Sequence, residues 1–161
     1  MDTLRWILGV LALLVLLVWL AGRFGALRGH QPADIGVREG RLKPPSRTPN
    51  SVSSQADLYP EHPMREYAHI AALPGSGGAS ASIARVRAVV ERMPGAMVAE
   101  QRDDYLYAQF ETPALRFIDD VEFWFDPAAQ TIAVRSASRI GRKDFGVNRS
   151  RIEAIRSQLL H

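Results

Sequence analysis

The longest apolar run stands near the start of the chain. Trp6 to Gly22 is an uncharged, Leu/Val-rich stretch of 17 residues bounded by Arg5 and Arg23. A membrane-spanning helix needs roughly 17–25 such residues. Trp6 and Trp19 stand near the two ends, where amphipathic rings favour the membrane interface. The run predicts an uncleaved anchor over residues 1–22. A cleaved signal peptide is the rival reading, but Trp19 and Leu20 occupy positions where a cleavage site wants small residues.

Residues 23–60 show no helical or strand periodicity. Gly22, Gly25, Gly29, Gly36 and Gly40 are followed by Pro44, Pro45 and Pro49. This composition predicts an extended juxtamembrane linker. The periodic patterns of a domain begin after it, over 61–161. Glu66 to Leu73 reads as a first strand, ended by Pro74-Gly75-Ser76-Gly77-Gly78. Ile83, Val86, Val90 and Met93 then recur at helical spacing, with Ser80 or Ser82 as cap and Pro94-Gly95 as stop. Four strands follow: 97–101, 105–110, 121–125 and 131–139. Their side chains alternate, as in Leu106, Ala108 and Phe110 against Tyr105, Tyr107 and Gln109, which predicts an antiparallel sheet with one buried face. Asp103-Asp104 and Asp126-Pro127 supply turns. Ile152, Ile155 and Leu159 form the stripe of a last helix, with Asn148 as its cap. The predicted class is α+β, in the order β-α-β-β-β-β-α, with two helices on one face of the sheet. That order resembles helix-grip folds, in which a C-terminal helix closes a sheet over an apolar cavity; order alone does not establish function.

Charge changes the picture by its position. Residues 1–43 hold six Lys/Arg and three Asp/Glu, whereas 44–161 hold fourteen of each. The excess of +3 therefore lies beside the apolar run. A nucleic-acid partner would need a basic domain, so none is expected. The chain has no cysteine, which excludes disulfides, thiol nucleophiles and thiolate metal sites.

The C-terminal half carries a recognisable set of spaced motifs. These are Asp119-Asp120-Val121-Glu122-Phe123, Val134-Arg135-Ser136-Ala137-Ser138-Arg139, and Gly141-x-x-Asp144-x-Gly146-x-Asn148-Arg149-x-Arg151. With Pro49-Asn50-Ser51-Val52-Ser53-Ser54-Gln55 upstream, the chain resembles the domain-of-unknown-function family numbered 1499 over about residues 47–160. Ser51 replaces the cysteine of the family's usual opening, so a role that requires a thiol there is not expected. The resemblance implies a bacterial or plastid protein, often with an N-terminal export or membrane segment. It implies no activity and no catalytic residues.

Candidate chemistry is sparse. Gly75-Ser76-Gly77 lacks the spacing of a nucleophile elbow, and no phosphate-loop motif occurs. Ser53 and Ser54 have no base supplied by any motif. His30, His62, His69 and His161 match no metal-ligand pattern, and neither a metal nor a cofactor is expected. Asp119, Asp120 and Glu122 form the sharpest acidic group. Paired carboxylates can serve as acid and base, but residues 103–126 carry seven acids while 135–156 carry seven Lys/Arg. The strands of Glu122 and Arg135 are joined by a short turn, so cross-strand pairing is the expected role. Asp144 and Asn148 are expected to order the Gly141–Gly146 loop and cap the last helix.

Three functions follow as expectations. The first is a non-enzymatic, membrane-tethered binding module for a lipid or other apolar ligand, with Arg135, Arg139 and Arg149 at its headgroup. The second is a scaffolding domain that docks a membrane-protein partner. The third is a hydrolase using Asp119, Asp120 or Glu122. Arg23 and Arg28 after the apolar run, against Arg5 and the α-amine before it, favour a cytoplasmic domain; the family resemblance favours an extracytoplasmic one, and the expectation leans to the latter.

Overall fold

The structure, a computed structural model, describes residues 2–160. The apolar run lies within α1 (Asp2–Arg23), a helix of 22 residues with Asp2 in its first turn and Arg23 in its last. At 1.5 Å per residue it is roughly 33 Å long, enough to cross a hydrocarbon core of about 30 Å. Its apolar side chains from Leu4 to Trp19 are about half exposed or more, so it is no core helix of the domain.

The domain is built on an antiparallel sheet whose strands, taken in order from one edge, are β1 (Ser51–Ser53), β6 (Thr131–Ser138), β5 (Ile118–Asp126), β4 (Tyr105–Glu111) and β3 (Ala96–Gln101). Its main strands are β3, β4, β5 and β6. Tight turns join β3 to β4 and β5 to β6, and a loop over 112–117 joins β4 to β5. Arg102 N–H bonds Tyr105 O across the first turn, and the Asp126 carboxylate accepts the amides of Ala128 and Ala129 in the second. The outer edge of β6 carries two short strands, β1 (Ser51–Ser53) and β2 (Leu73–Pro74). The helices α3 (Gly78–Val90) and α4 (Val147–Leu160) follow β2 and β6 in the chain.

Register divides the side chains into two faces, because successive strand residues point to opposite sides. Leu106, Phe123 and Val134 form one cross-strand row, continued by Ala108, Val121 and Ser136, then by Phe110, Asp119 and Ser138. This face packs with Ile83, Val86 and Val90 of α3 and with Ile152, Ile155 and Leu159 of α4 in one apolar core. Each such side chain contributes about 1.5–3 kcal/mol on burial. The other face presents Tyr105, Trp124 and Ala133, then Tyr107, Glu122 and Arg135.

That second face is also buried, contrary to the expectation of a one-sided sheet. The cover is the stretch expected to be a free linker. Leu42, 1% exposed, joins Tyr105, Tyr107, Trp124 and Ala133 in a second apolar cluster, with Ile35 and Val37 packed against it. The Gln55 side chain fastens the cover, accepting Leu42 N–H at 2.7 Å and donating to Gly40 O at 3.1 Å. Residues 51–53, expected as loop, pair with β6.

Other local expectations also change. The segment 66–73 is not a strand: Arg65–Ala68 forms a single helical turn, α2, and only Leu73–Pro74 pairs with β6. Neither Ser80 nor Ser82 caps α3, whose N-cap is Gly77. Ser82 is buried, and its hydroxyl instead accepts from Ser76 N–H and donates to Ser76 O. Asp144, not Asn148, caps α4, accepting the amides of Gly146 and Asn148.

Candidate functional site

The family-like motif residues converge on β5, β6 and the start of α4, but on opposite sides of the sheet. On the helix-facing side, Arg151 reaches from the first turns of α4 to Asp119. Its Nη2 donates to Asp119 Oδ2 at 2.6 Å, and both side chains are nearly buried. Its Nη1 donates to Ser136 Oγ at 3.0 Å and Asn148 Oδ1 at 2.8 Å. The guanidinium also lies over the Phe110 ring, 4.6 Å from its centre. Asn148 is fully buried and its Nδ2 faces Asn50 O, Ser138 Oγ and Asp144 Oδ2 at 3.0–3.1 Å. Tyr67 donates to Asp144 Oδ1 at 2.6 Å. Burial pushes the Asp144 carboxyl up, but hydrogen bonds from Tyr67, Gly146 and Asn148 outweigh it and hold the group below the ordinary carboxylate value.

Beside this polar network the surface is apolar. A cleft of about 310 Å³ is walled by Phe117, Ile140, Phe145 and Val147, with Asp119 and Asp144 among its lining. A second cleft, about 370 Å³, shares Thr112, Phe145 and Val147 with it. Phe145 is 92% exposed, and its φ of 52° is unusual for a side chain of its bulk. The loop 112–117 that contributes to both clefts also meets the end of α1. Gly22 is buried against Leu115, where a Cβ would stand 2.7 Å from the carbonyl oxygen, and Arg116 Nη1 donates to Arg23 O at 3.1 Å.

On the opposite face, Arg139 donates twice to Asp120, at 2.9 and 2.7 Å, and once to Tyr107 Oη at 3.1 Å. The bond to Asp120 raises the Arg139 pKa above its ordinary value. Glu122 is fully buried. Its Oε1 accepts from Tyr105 Oη at 2.9 Å and from Gly36 N–H of the covering segment at 2.8 Å, while its Oε2 has no hydrogen bond. Arg135, its cross-strand neighbour, stands off at 3.8 Å. Burial pushes the Glu122 carboxyl up, opposed by Gly36 N–H, Arg135 and Tyr105. A cleft of about 360 Å³ opens here, lined by His30, Lys43, Arg47, Asp120, Arg135 and Arg139 among others.

Asp119, Asp120 and Glu122 are therefore not one carboxylate group. Asp119 faces the helices, and the other two face the covering segment. Each has an arginine: Arg151, Arg139 and Arg135 respectively. Arg135 and Arg139 share a cleft, whereas Arg149 lies elsewhere and donates to Tyr67 O at 2.6 Å. The histidines are scattered: His62 Nδ1 accepts Met64 N–H, His69 Nδ1 lies 2.9 Å from Asp57, and His161 is outside the described residues. Lys43, Arg47 and Phe145 were not legible as site residues. The first two lie in an aperiodic stretch, and the only signal for Phe145 was a large apolar residue between Asp144 and Gly146 in a polar loop.

Comparison with curated proteins and with solved structures finds no match. The family model described as "Protein of unknown function (DUF1499)" matches residues 41–159. Its span begins within the covering segment and takes in Leu42, Lys43, the networks of Arg151 and Arg139, and α4 as far as residue 159. This chain, with its antiparallel sheet buried on both faces and its buried arginine–carboxylate pairs, belongs to the DUF1499 family.

Proposed function

We propose that the protein is a membrane-anchored, non-enzymatic binding module that takes the apolar part of a lipid in the two clefts around Phe145. The carrying observation is contiguity: the loop 112–117 lines those clefts and also seats the end of α1 at Gly22. With α1 across a bilayer, that end marks the interface, and Phe24 beside it is 83% exposed. Phe117, Ile140, Phe145 and Val147 then lie one loop away from acyl chains. An apolar cleft with a few polar groups at its edge suits such a ligand.

The core bears on where the ligand would go. The space between the sheet and α3 and α4 is occupied by the protein's own side chains, so the reading uses surface clefts and not the helix-grip cavity. The hydrolase reading has less support, because the Asp119–Asp120 pair is split between two faces and each carboxylate is tied to an arginine.

The test is a photoreactive phenylalanine analogue at position 145 of the full chain, irradiated in native membranes and analysed by mass spectrometry. A lipid adduct is expected. Adducts on a discrete protein alone would overturn the lipid reading in favour of scaffolding.

A further inference from the structure

Arg135 combines deep burial with few partners. It is 3% exposed, and a guanidinium brings five donors that need acceptors when removed from water. Its one hydrogen bond among the described residues runs from Nε to Pro44 O at 3.2 Å. Glu122 is too distant at 3.8 Å to accept a hydrogen bond from it. The two Nη groups therefore donate no hydrogen bond among the described residues, Nη1 keeping only the distant Glu122 carboxylate as a counter-charge, and the side chain lines the cleft beneath residues 30–47.

The surroundings select the sign of what would satisfy them. Lys43, Arg47 and Arg139 line the same cleft, together with His30. Asp120 is its single acid, and that carboxylate is already engaged by Arg139 and Tyr107. Lys43 Nζ has a partially exposed partner in Asp34 at 2.6 Å, and Arg47, exposed at the rim, has no ion pair among the described residues. A planar guanidinium with two free Nη groups matches the oxygens of a phosphate or carboxylate in a bidentate fashion.

We infer that this cleft is an oxyanion site, with Arg135 at its floor and Lys43 and Arg47 at its mouth, built for a phosphate group. The inference stands apart from the lipid reading, since Phe145 and its clefts lie on the other side of the sheet. The phosphate can belong to a small free anion or to a lipid headgroup; the chemistry at Arg135 is the same.

The experiment is calorimetric titration of inorganic phosphate into the full chain in dodecyl maltoside micelles, which carry no phosphate, with sodium chloride at equal ionic strength as the control. Saturable binding at one site is expected. Arg47→Gln, at an exposed position that leaves the fold intact, is expected to weaken it about tenfold, the worth of one charge-assisted hydrogen bond. Arg135→Lys, which removes the fork, is expected to abolish it. Absence of saturable binding in the unsubstituted chain overturns the inference, as does unchanged affinity in Arg47→Gln and Arg135→Lys. Repeating the titration in phosphatidylglycerol nanodiscs identifies the source. Loss of phosphate uptake there assigns the site to a lipid headgroup, and equal uptake assigns it to a free anion. Failure of the position-145 cross-link leaves these outcomes unaffected.

Discussion

A strand sends neighbouring side chains to opposite sides, and Asp119 and Asp120 show what this does to chemistry. Side by side in sequence, they serve two separate arginines through two separate networks. Removing one partner of a buried pair leaves an uncompensated charge and costs about 3–5 kcal/mol. Asp119→Ala should therefore lower the unfolding free energy, read from urea titration, by an amount in that range by stranding Arg151; a loss under about 1 kcal/mol would mean that Asn148 and Ser136 suffice for it. The tyrosines give a pH test. Burial, reinforced by Asp120 on Tyr107 and Asp144 on Tyr67, pushes both phenols up to about 12, and Tyr105 is pushed higher. A phenol raised in the fold stabilises it fully below the unfolded value of 10.0, and that contribution fades as pH rises toward the folded value. Stability should thus decline from pH 10 upward, with tyrosinate absorbance appearing together with loss of near-ultraviolet dichroism. Tyrosinate forming in a chain that keeps its dichroism would contradict this. The ion pairing of the acidic and basic blocks was legible because charge and strand adjacency are both written in sequence. The separation of Asp119 from Asp120 was legible in principle from alternation alone. The acceptors of Arg151 and the sparse hydrogen bonding of Arg135 were not, since both depend on which loops return to the sheet.

At the scale of elements, the long strands and the domain's two long helices, α3 and α4, announced themselves by periodicity, and the structure has them within a few residues. What failed were elements too short to have a period. β1 spans three residues and β2 two, and each is held by pairing with β6, not by its own pattern. The covering segment is the larger omission. Its apolar residues, Ile35, Val37 and Leu42, follow no single spacing, because an irregular strand of chain need only drop a side chain where the sheet offers a hollow. Leu42→Ala should cost about 2–4 kcal/mol, a large-to-small change at a fully buried site, and should shift Trp124 emission to the red because the two side chains share a cluster. Unchanged emission together with unchanged stability would show that the segment lies loosely on the sheet.

For the whole molecule, the decisive contact is Gly22 on Leu115. A side chain there meets backbone at 2.7–3.1 Å, so only glycine lets the helix end close on the loop. Gly22→Val should push the two apart: spin labels at residues 24 and 114 should show a longer, broader distance distribution, while the domain's unfolding free energy in urea moves by less than about 0.5 kcal/mol. A distance distribution identical to the parent's would mean that the domain's attitude to α1 is set elsewhere, through Arg116 and Arg28.

The covering segment also has a history within each newly made chain. Gly36 bonds to Glu122 across 86 residues, so at synthesis rates of roughly 5–20 residues per second it waits several seconds for its strand to exist. The β3–β6 hairpins can zip locally as they emerge. From the moment they are made until the segment returns, Glu122 and Arg135 are solvated charges on a wet, half-finished surface. Desolvation comes last, when a piece of chain made long before swings back and shuts over them.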